Sequence, residues 1–351
     1  MTEDPTKSTR REAIKQIGSS GAVLFGAGLV AGGAGANVAY ANTSAGDETP
    51  YGSSESDNIS SQLVTADEMS IYGGAFEPPR GLDANSLDAL TYPPAPLPAA
   101  PQTRNLEMAV TEQKAELGQG VFYETWTYNG SAPGPVIRAN EGDLLRIQFR
   151  NATGRPHNLH FHGRHNVNSD GWQSVPPGGE TQYEIEAGPF GLHPYHCHTT
   201  PLAIHIGHGL YGTLIVDPPG GRPPAHEVVL VLSGWDLQNT QRGNQMYTWN
   251  GVAGYFAKFP IKVPAGELIR VYLVNMTEFD ASGGFHLHAE TFDVFPSGTS
   301  LTPTVHTDVV NLGQADRAII EFTLPERGRY MFHPHQHPMA SQGAMGWFAA
   351  L

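Results

Sequence analysis

Two stretches of this chain repeat each other. Gly142-Asp143-Leu144-Leu145-Arg146 matches Gly266-Glu267-Leu268-Ile269-Arg270, and each is followed by a His-x-His. In the first copy Leu145, Ile147 and Phe149 interleave with Arg146, Gln148 and Arg150, the period-two pattern of a half-buried strand. Ile269, Val271 and Leu273 repeat that pattern in the second copy. A duplicated strand motif, many Gly and Pro turns and no long helical periodicity imply two β-sandwiches. At 351 residues the chain is long enough for two such units, each burying its own core. The halves meet near Asp217-Pro218-Pro219-Gly220-Gly221-Arg222-Pro223-Pro224, which has the composition of an interdomain linker. The expected units are residues 103–218 and 219–351.

What precedes them reads differently. Thr9-Arg10-Arg11-Glu12-Ala13-Ile14-Lys15 leads into a Gly/Ala-rich apolar stretch and then Ala39-Tyr40-Ala41. This resembles a twin-arginine export signal over residues 1–41, cleaved after Ala41, and predicts a periplasmic or extracellular protein. The apolar run is too short and glycine-rich for a comfortable bilayer span, so no membrane span is expected in the mature chain. Residues 42–102 are Ser/Asn/Asp-rich and then Pro-rich, and read as a flexible or extended arm. The formal charge of −14 disfavours nucleic acid and anionic membranes as partners.

The chemistry lies in the histidines. Half of the 16 fall in four short clusters. The first half carries His160-Phe161-His162 and His196-Cys197-His198; the second carries His286-Leu287-His288 and His333-Pro334-His335. On a strand, residues i and i+2 share a face, so each pair offers two imidazoles to one metal region. One His-x-His is weak evidence, because alternating histidines can be ordinary strand residues. Four pairs in duplicated order are strong evidence.

Cys197 is the only cysteine, which excludes an intramolecular disulfide. On a strand its thiolate would face one side while His196 and His198 face the other, linking two metal regions by a short covalent path. Imidazole suits copper, zinc, iron and nickel; a thiolate flanked by histidines narrows the choice to copper. His157 and His205 are the candidate imidazole partners of Cys197. Leu210 stands where a weak axial ligand would be, and a non-coordinating Leu there favours the cuprous state and a higher potential.

With these motifs in hand, the chain resembles the two-domain multicopper oxidases, laccase-like relatives of the copper nitrite reductases, over roughly residues 103–351. Asn129-Gly130-Ser131-Ala132-Pro133-Gly134-Pro135-Val136-Ile137-Arg138 is similar to that family's opening strand motif. The resemblance implies an all-β chain of two cupredoxin-like Greek-key β-sandwich domains in tandem. It also implies a type 1 copper on His157, Cys197 and His205 with Leu210 at the non-coordinating axial position. A trinuclear cluster then falls to His160, His162, His196, His198, His286, His288, His333 and His335, making four coppers per chain. Aligning the repeats puts Gly283 opposite His157, Pro334 opposite Cys197 and Gln342 opposite His205, so the second half lacks a type 1 site. His165, His193, His208, His226, His306 and His337 match no ligand position and are expected to be supporting or surface residues.

Asp170, in Ser169-Asp170-Gly171, resembles the acidic residue that the family places beside the cluster to relay protons; an Asp-Gly turn explains it as well. Glu290 is a second acidic candidate if the strand of His288 continues. The implied activity is one-electron oxidation of a small reducing substrate, a phenol, aromatic amine or metal ion, with dioxygen as acceptor. His205 is the expected point at which electrons arrive. A homotrimer with clusters between subunits is the implied assembly. Two rivals stand: a copper nitrite reductase, which resembles this chain but has an aspartate at the position of His160, and an electron-transfer or copper-storage cupredoxin.

Overall fold

The computed structural model describes residues 76–98 and 101–351. The expected export signal and the start of the arm lie outside the described residues. Eight strands make up the first half: β1 (Thr103–Gly118), β2 (Val121–Tyr128), β3 (Ile137–Asn140), β4 (Leu144–Asn151), β5 (His160–Phe161), β6 (Glu180–Glu186), β7 (Gly191–His196) and β8 (Tyr211–Asp217). They form two sheets, ordered β2-β1-β4-β6 and β3-β8-β7-β5. Leu145, Ile147 and Phe149 are fully buried on β4, while Gln148 and Arg150 face out, as the alternation predicts. They join Met108, Val110, Leu159, Tyr195 and Cys197 in one core. Each such large apolar side chain contributes roughly 1.5–3 kcal/mol through burial.

The second half has eleven strands: β9 (His226–Trp235), β10 (Met246–Trp249), β11 (Ile261–Val263), β12 (Leu268–Asn275), β13 (Ser282–Leu287), β14 (Phe292–Pro296), β15 (Val305–Thr307), β16 (Val309–Gly313), β17 (Arg317–Thr323), β18 (Gly328–His333) and β19 (Gly346–Ala350). Their sheets run β10-β9-β12-β17-β14-β15 and β11-β19-β18-β13-β16. The first four positions of each repeat the order of the first half. The parallel pairs recur as well: β1 with β4 and β3 with β8, then β9 with β12 and β11 with β19. Even a cross-strand ion pair is duplicated, Arg146 to Glu184 at 2.7 Å and Arg270 to Glu321 at 2.6 Å. The fold is all-β, two cupredoxin-like sandwiches in tandem.

The second copy departs from the expected half-buried strand. On β12 the alternate residues Arg270, Tyr272 and Val274 are buried as completely as Ile269, Val271 and Leu273. Two contacts cause this. Tyr272 and Val274 pack with Leu192, Ile206, Tyr211 and Ile215 of the first half in a shared core. Arg270 enters a charge network in which Glu227 lies between Arg270 (3.1 Å) and Arg138 (2.6 Å), while Arg138 also pairs with Asp217 at 2.7 Å. Both halves therefore belong to one compact unit.

Composition suggests a flexible or extended arm before residue 103; its described residues, 76–98 and 101–102, are docked. A short helix, α1 (Asp88–Thr91), is flanked by Leu87 and Tyr92, which pack on the second core. Asn250 donates to Thr91 Oγ1 at 3.3 Å. The extended proline run then passes to the first half, where Arg138 donates to the Pro94 carbonyl at 2.8 Å and Asn140 to that of Pro98 at 2.9 Å. Isolated hydrophobic residues within a Pro/Ser-rich segment gave no periodic signal for this docking.

Candidate metal centres

Three chain segments bring the buried cysteine site together. Cys197 directly follows β7. His157 precedes β5 in a bridge with Val175. His205 lies in α2 (Leu202–Gly207), the short helix that returns the chain to β8. His205 Nδ1 is 3.2 Å from Cys197 Sγ, His157 Nδ1 is 3.8 Å from it, and the two nitrogens are 3.1 Å apart. All three residues are buried. Burial pushes His157 down to about 3 and His205 to about 4, so both rings are neutral, while it raises the Cys197 thiol. Two neutral imidazoles and a sulfur converging away from water form a donor set suited to a soft ion such as copper. His157 Nε2 has no hydrogen-bond partner, so no hydrogen bond at that atom turns the ring away. Leu210 is fully buried in the same core as Cys197.

The histidine pairs form two further groups, built alike. His160 and His196 face each other across β5 and β7, as His286 and His333 do across β13 and β18. His160 Nδ1 donates to the Asp170 carbonyl at 2.7 Å; His286 Nδ1 donates to the Asp308 carbonyl at 2.8 Å. His196 Nδ1 donates to the Cys197 carbonyl at 3.0 Å; His333 Nδ1 donates to the Pro334 carbonyl at 2.8 Å. A neutral imidazole that donates through Nδ1 keeps Nε2 bare for a metal. The Nε2 atoms left bare on His196 and His333 each meet a second imidazole, His162 Nε2 at 3.0 Å and His288 Nε2 at 3.0 Å. His198 and His335 lie beside these sets, their ring centroids 5.2 Å from that of His160 and 5.3 Å from that of His286. Burial pushes His162 down to about 3 and His196 to about 4, and lowers His160, His288 and His333 as well. Among the described residues the two sets remain separate groups.

Asp170 does form the Asp-Gly turn, and its carboxylate lies beside the histidines. Gly171 has φ +75°, and a Cβ there would run into the Leu159 carbonyl, so the Asp-Gly turn closes the loop onto β5. That closure puts the Asp170 carboxylate 2.9 Å from His165 Nε2 and 3.4 Å from His160 Nδ1. The His165 hydrogen bond holds its pKa below the usual carboxylate value. Glu290 lies elsewhere. The strand ends at Leu287, Ala289 takes φ +63°, and Glu290 turns its carboxylate onto the Thr291 N–H at 2.9 Å.

Asp308, which sequence reasoning missed, is the counterpart of Asp170, with a carboxylate oxygen 3.9 Å from His286 Nδ1. It lies 22 residues from its histidine between two short strands, where nothing in the sequence connects them. Asn158 was missed as well. Its N–H supports the Cys197 sulfur and its side-chain oxygen accepts from the His198 N–H at 2.6 Å. Adjacency to His157 was the available signal. In the second half a Cβ on Gly283, opposite His157, would fall 2.6 Å from Leu232 and 2.9 Å from Asn275. The space of a second thiolate site is filled by packing.

The comparisons with known proteins agree with this duplicated arrangement. Family models described as multicopper oxidase match residues 109–221 and 223–351. A crystal structure of a multicopper oxidase is 40% identical, with a TM-score of 0.72 over 77% of this chain and 98% of that chain. The copper nitrite reductase from Nitrosomonas europaea is 26% identical, with a TM-score of 0.66 over 71% of this chain and 94% of its own. A copper-containing nitrite reductase of Neisseria meningitidis serogroup A is 29% identical over 288 residues, 76% of this chain and 74% of that protein. Matched in both halves and along nearly the whole of a 40% identical relative, this copper oxidoreductase belongs to the multicopper oxidase family.

Proposed function

We propose that the protein is a laccase-like oxidase that removes single electrons from a small reducing substrate and reduces dioxygen to water. His157, Cys197 and His205 would hold one copper; the eight histidines of the four pairs would hold three. Bound copper would supply one-electron redox chemistry at the thiolate site and the four-electron reduction of dioxygen at the histidine cluster. The observation that carries this reading is His160. It belongs to the same ligand group as His162 and His196, at the position where the nitrite-reducing relatives are expected to have a carboxylate.

The chain's own residues serve each part of this activity. Cys197 joins the two regions through the peptide to His196 and His198, and the His196 hydrogen bond to the Cys197 carbonyl adds a second route. The carbonyls of Asp170 and Asp308 orient His160 and His286. The Asp170 carboxylate, ionised at neutral pH and hydrogen-bonded to His165, would hold and pass protons beside His160. The separation of the two histidine sets within one chain supports a head-to-tail homotrimer in which each complete cluster lies between subunits. Arg10-Arg11 and the stretch to Ala41 support export by the twin-arginine route. Among the described residues no helix is long and apolar enough to cross a membrane.

The nitrite reductases among the relatives favour a second reading, reduction of nitrite. A reduced dye separates the two. The oxidase consumes oxygen readily and forms little nitric oxide from nitrite without air; the reverse result assigns the chain to nitrite reduction.

A further inference from the structure

The imidazole of His205 was the expected point of electron arrival, yet His205 is only 5% exposed. Trp126 covers it. The Trp126 ring stands edge-on to both candidate imidazole ligands, with centroids 5.2 Å from His157 and 5.0 Å from His205. Its plane is stacked on His208 at 4.4 Å and 14°, and His208 is stacked in turn on Tyr123 at 5.0 Å and 18°. These three rings form a continuous aromatic column. The column is clamped, because the backbone N–H of Trp126 donates to the His208 carbonyl at 2.8 Å and His208 Nδ1 donates to the Glu124 carbonyl at 2.7 Å. A cavity of about 410 Å³ opens beside it, lined by Tyr123, Trp126, His208 and Phe279 together with Glu124 and Asp236; His205 does not line it.

We propose that Trp126, stacked on His208, is the electron relay between a donor bound in this cavity and the thiolate site. The proposal rests on the copper reading of His157, Cys197 and His205. One electron would leave a protonated aromatic amine, cross the Trp126 ring and be taken up by cupric ion held at the thiolate site; the amine's proton, released to water, would leave the donor as a radical cation. Trp126 serves as a bridge and not as a stopping place. The Arg155 guanidinium, 5.2 Å from the centre of its ring, opposes a positive charge there. The carboxylates of Glu112, Glu124 and Asp236 outnumber Arg155 around the cavity, so the fitting donor is a small aromatic amine carrying positive charge.

The test uses copper-loaded wild type, Trp126→Leu and Trp126→Phe, with N,N-dimethyl-p-phenylenediamine as donor. In Trp126→Leu the blue absorption and the rate of reoxidation by oxygen stay as in wild type, while anaerobic bleaching by the donor slows at least about tenfold, about 1.4 kcal/mol in barrier. Trp126→Phe recovers most of that rate. In the metal-free protein the donor quenches a component of tryptophan fluorescence that is missing from Trp126→Phe. A normal blue band with unchanged or faster bleaching in Trp126→Leu overturns the relay alone, as does an absence of quenching. A wild-type protein that binds copper without turning blue overturns the copper reading and the relay together.

Discussion

The N–H of Cys197 donates to the carbonyl of Leu210 at 3.0 Å, so Cys197 and the residue proposed for the axial position are held by one backbone contact. The side chain of Leu210 is aliphatic and buried, and offers no ligand atom. Leu210→Met would add a thioether there without moving Cys197. The expected result is a lower midpoint potential for the blue copper, by about 60 mV or more, a tenfold change for a one-electron couple. Redox titration of the blue band checks it.

Glu227 joins the two halves through charge. Burial alone would raise its pKa, but hydrogen bonds from Arg138 and Tyr272 and the charges of Arg138 and Arg270 outweigh burial and hold it below the usual value. Its contribution to stability is therefore complete above the unfolded carboxyl value of about 4.3 and is lost as pH falls through the lower folded value. Glu227→Gln leaves two buried guanidinium groups short of a partner and should cost roughly 3–5 kcal/mol at pH 7. Unfolding midpoints measured between pH 7 and 3 should fall less steeply in the variant than in wild type.

Asp170→Asn keeps the peptide oxygen on His160 and removes the carboxylate. Copper content should be unchanged and oxygen uptake should fall about 10²-fold, the usual size of a lost proton-transfer group. Asp308→Asn should fall by a smaller factor, because its carboxylate is farther from the ring, at 3.9 Å, and 56% exposed. Equal losses in the two variants would contradict a proton role specific to Asp170.

Much of this arrangement was legible in the sequence because the repeat is local. The alternation of Leu145, Ile147 and Phe149 reports one strand, and the spacing in each His-x-His reports one face. The remainder depends on pairings between distant segments. The burial of Tyr272 is set by the other half of the chain, and that of Arg270 by Glu227 and Glu321 on the strands beside it. Asp308 reaches His286 through a strand pairing, and Trp126 meets His205 because β2 lies beside the end of α2; side-chain identity alone encodes none of these meetings. The docked segment from Asp83 to Pro98 escaped notice for the same reason.

If each complete cluster lies between subunits, two inactive variants should repair one another. His160→Ala with His162→Ala breaks one set, and His286→Ala with His288→Ala breaks the other. Mixed trimers should regain part of the oxygen uptake, because some interfaces then bring together two intact sets. No recovery in demonstrated mixed trimers would contradict a cluster shared between chains.

Copper content and colour of Cys197→Ser, measured beside wild type, test the central assignment most directly. The wild type should be intensely blue with four coppers per chain, one on the thiolate and three on the histidines. The variant should lose the blue band and oxidase activity and keep three coppers, because serine supplies no thiolate while the eight imidazoles are untouched. A blue band that survives the substitution, or a wild type that saturates at two coppers per chain, would contradict the account.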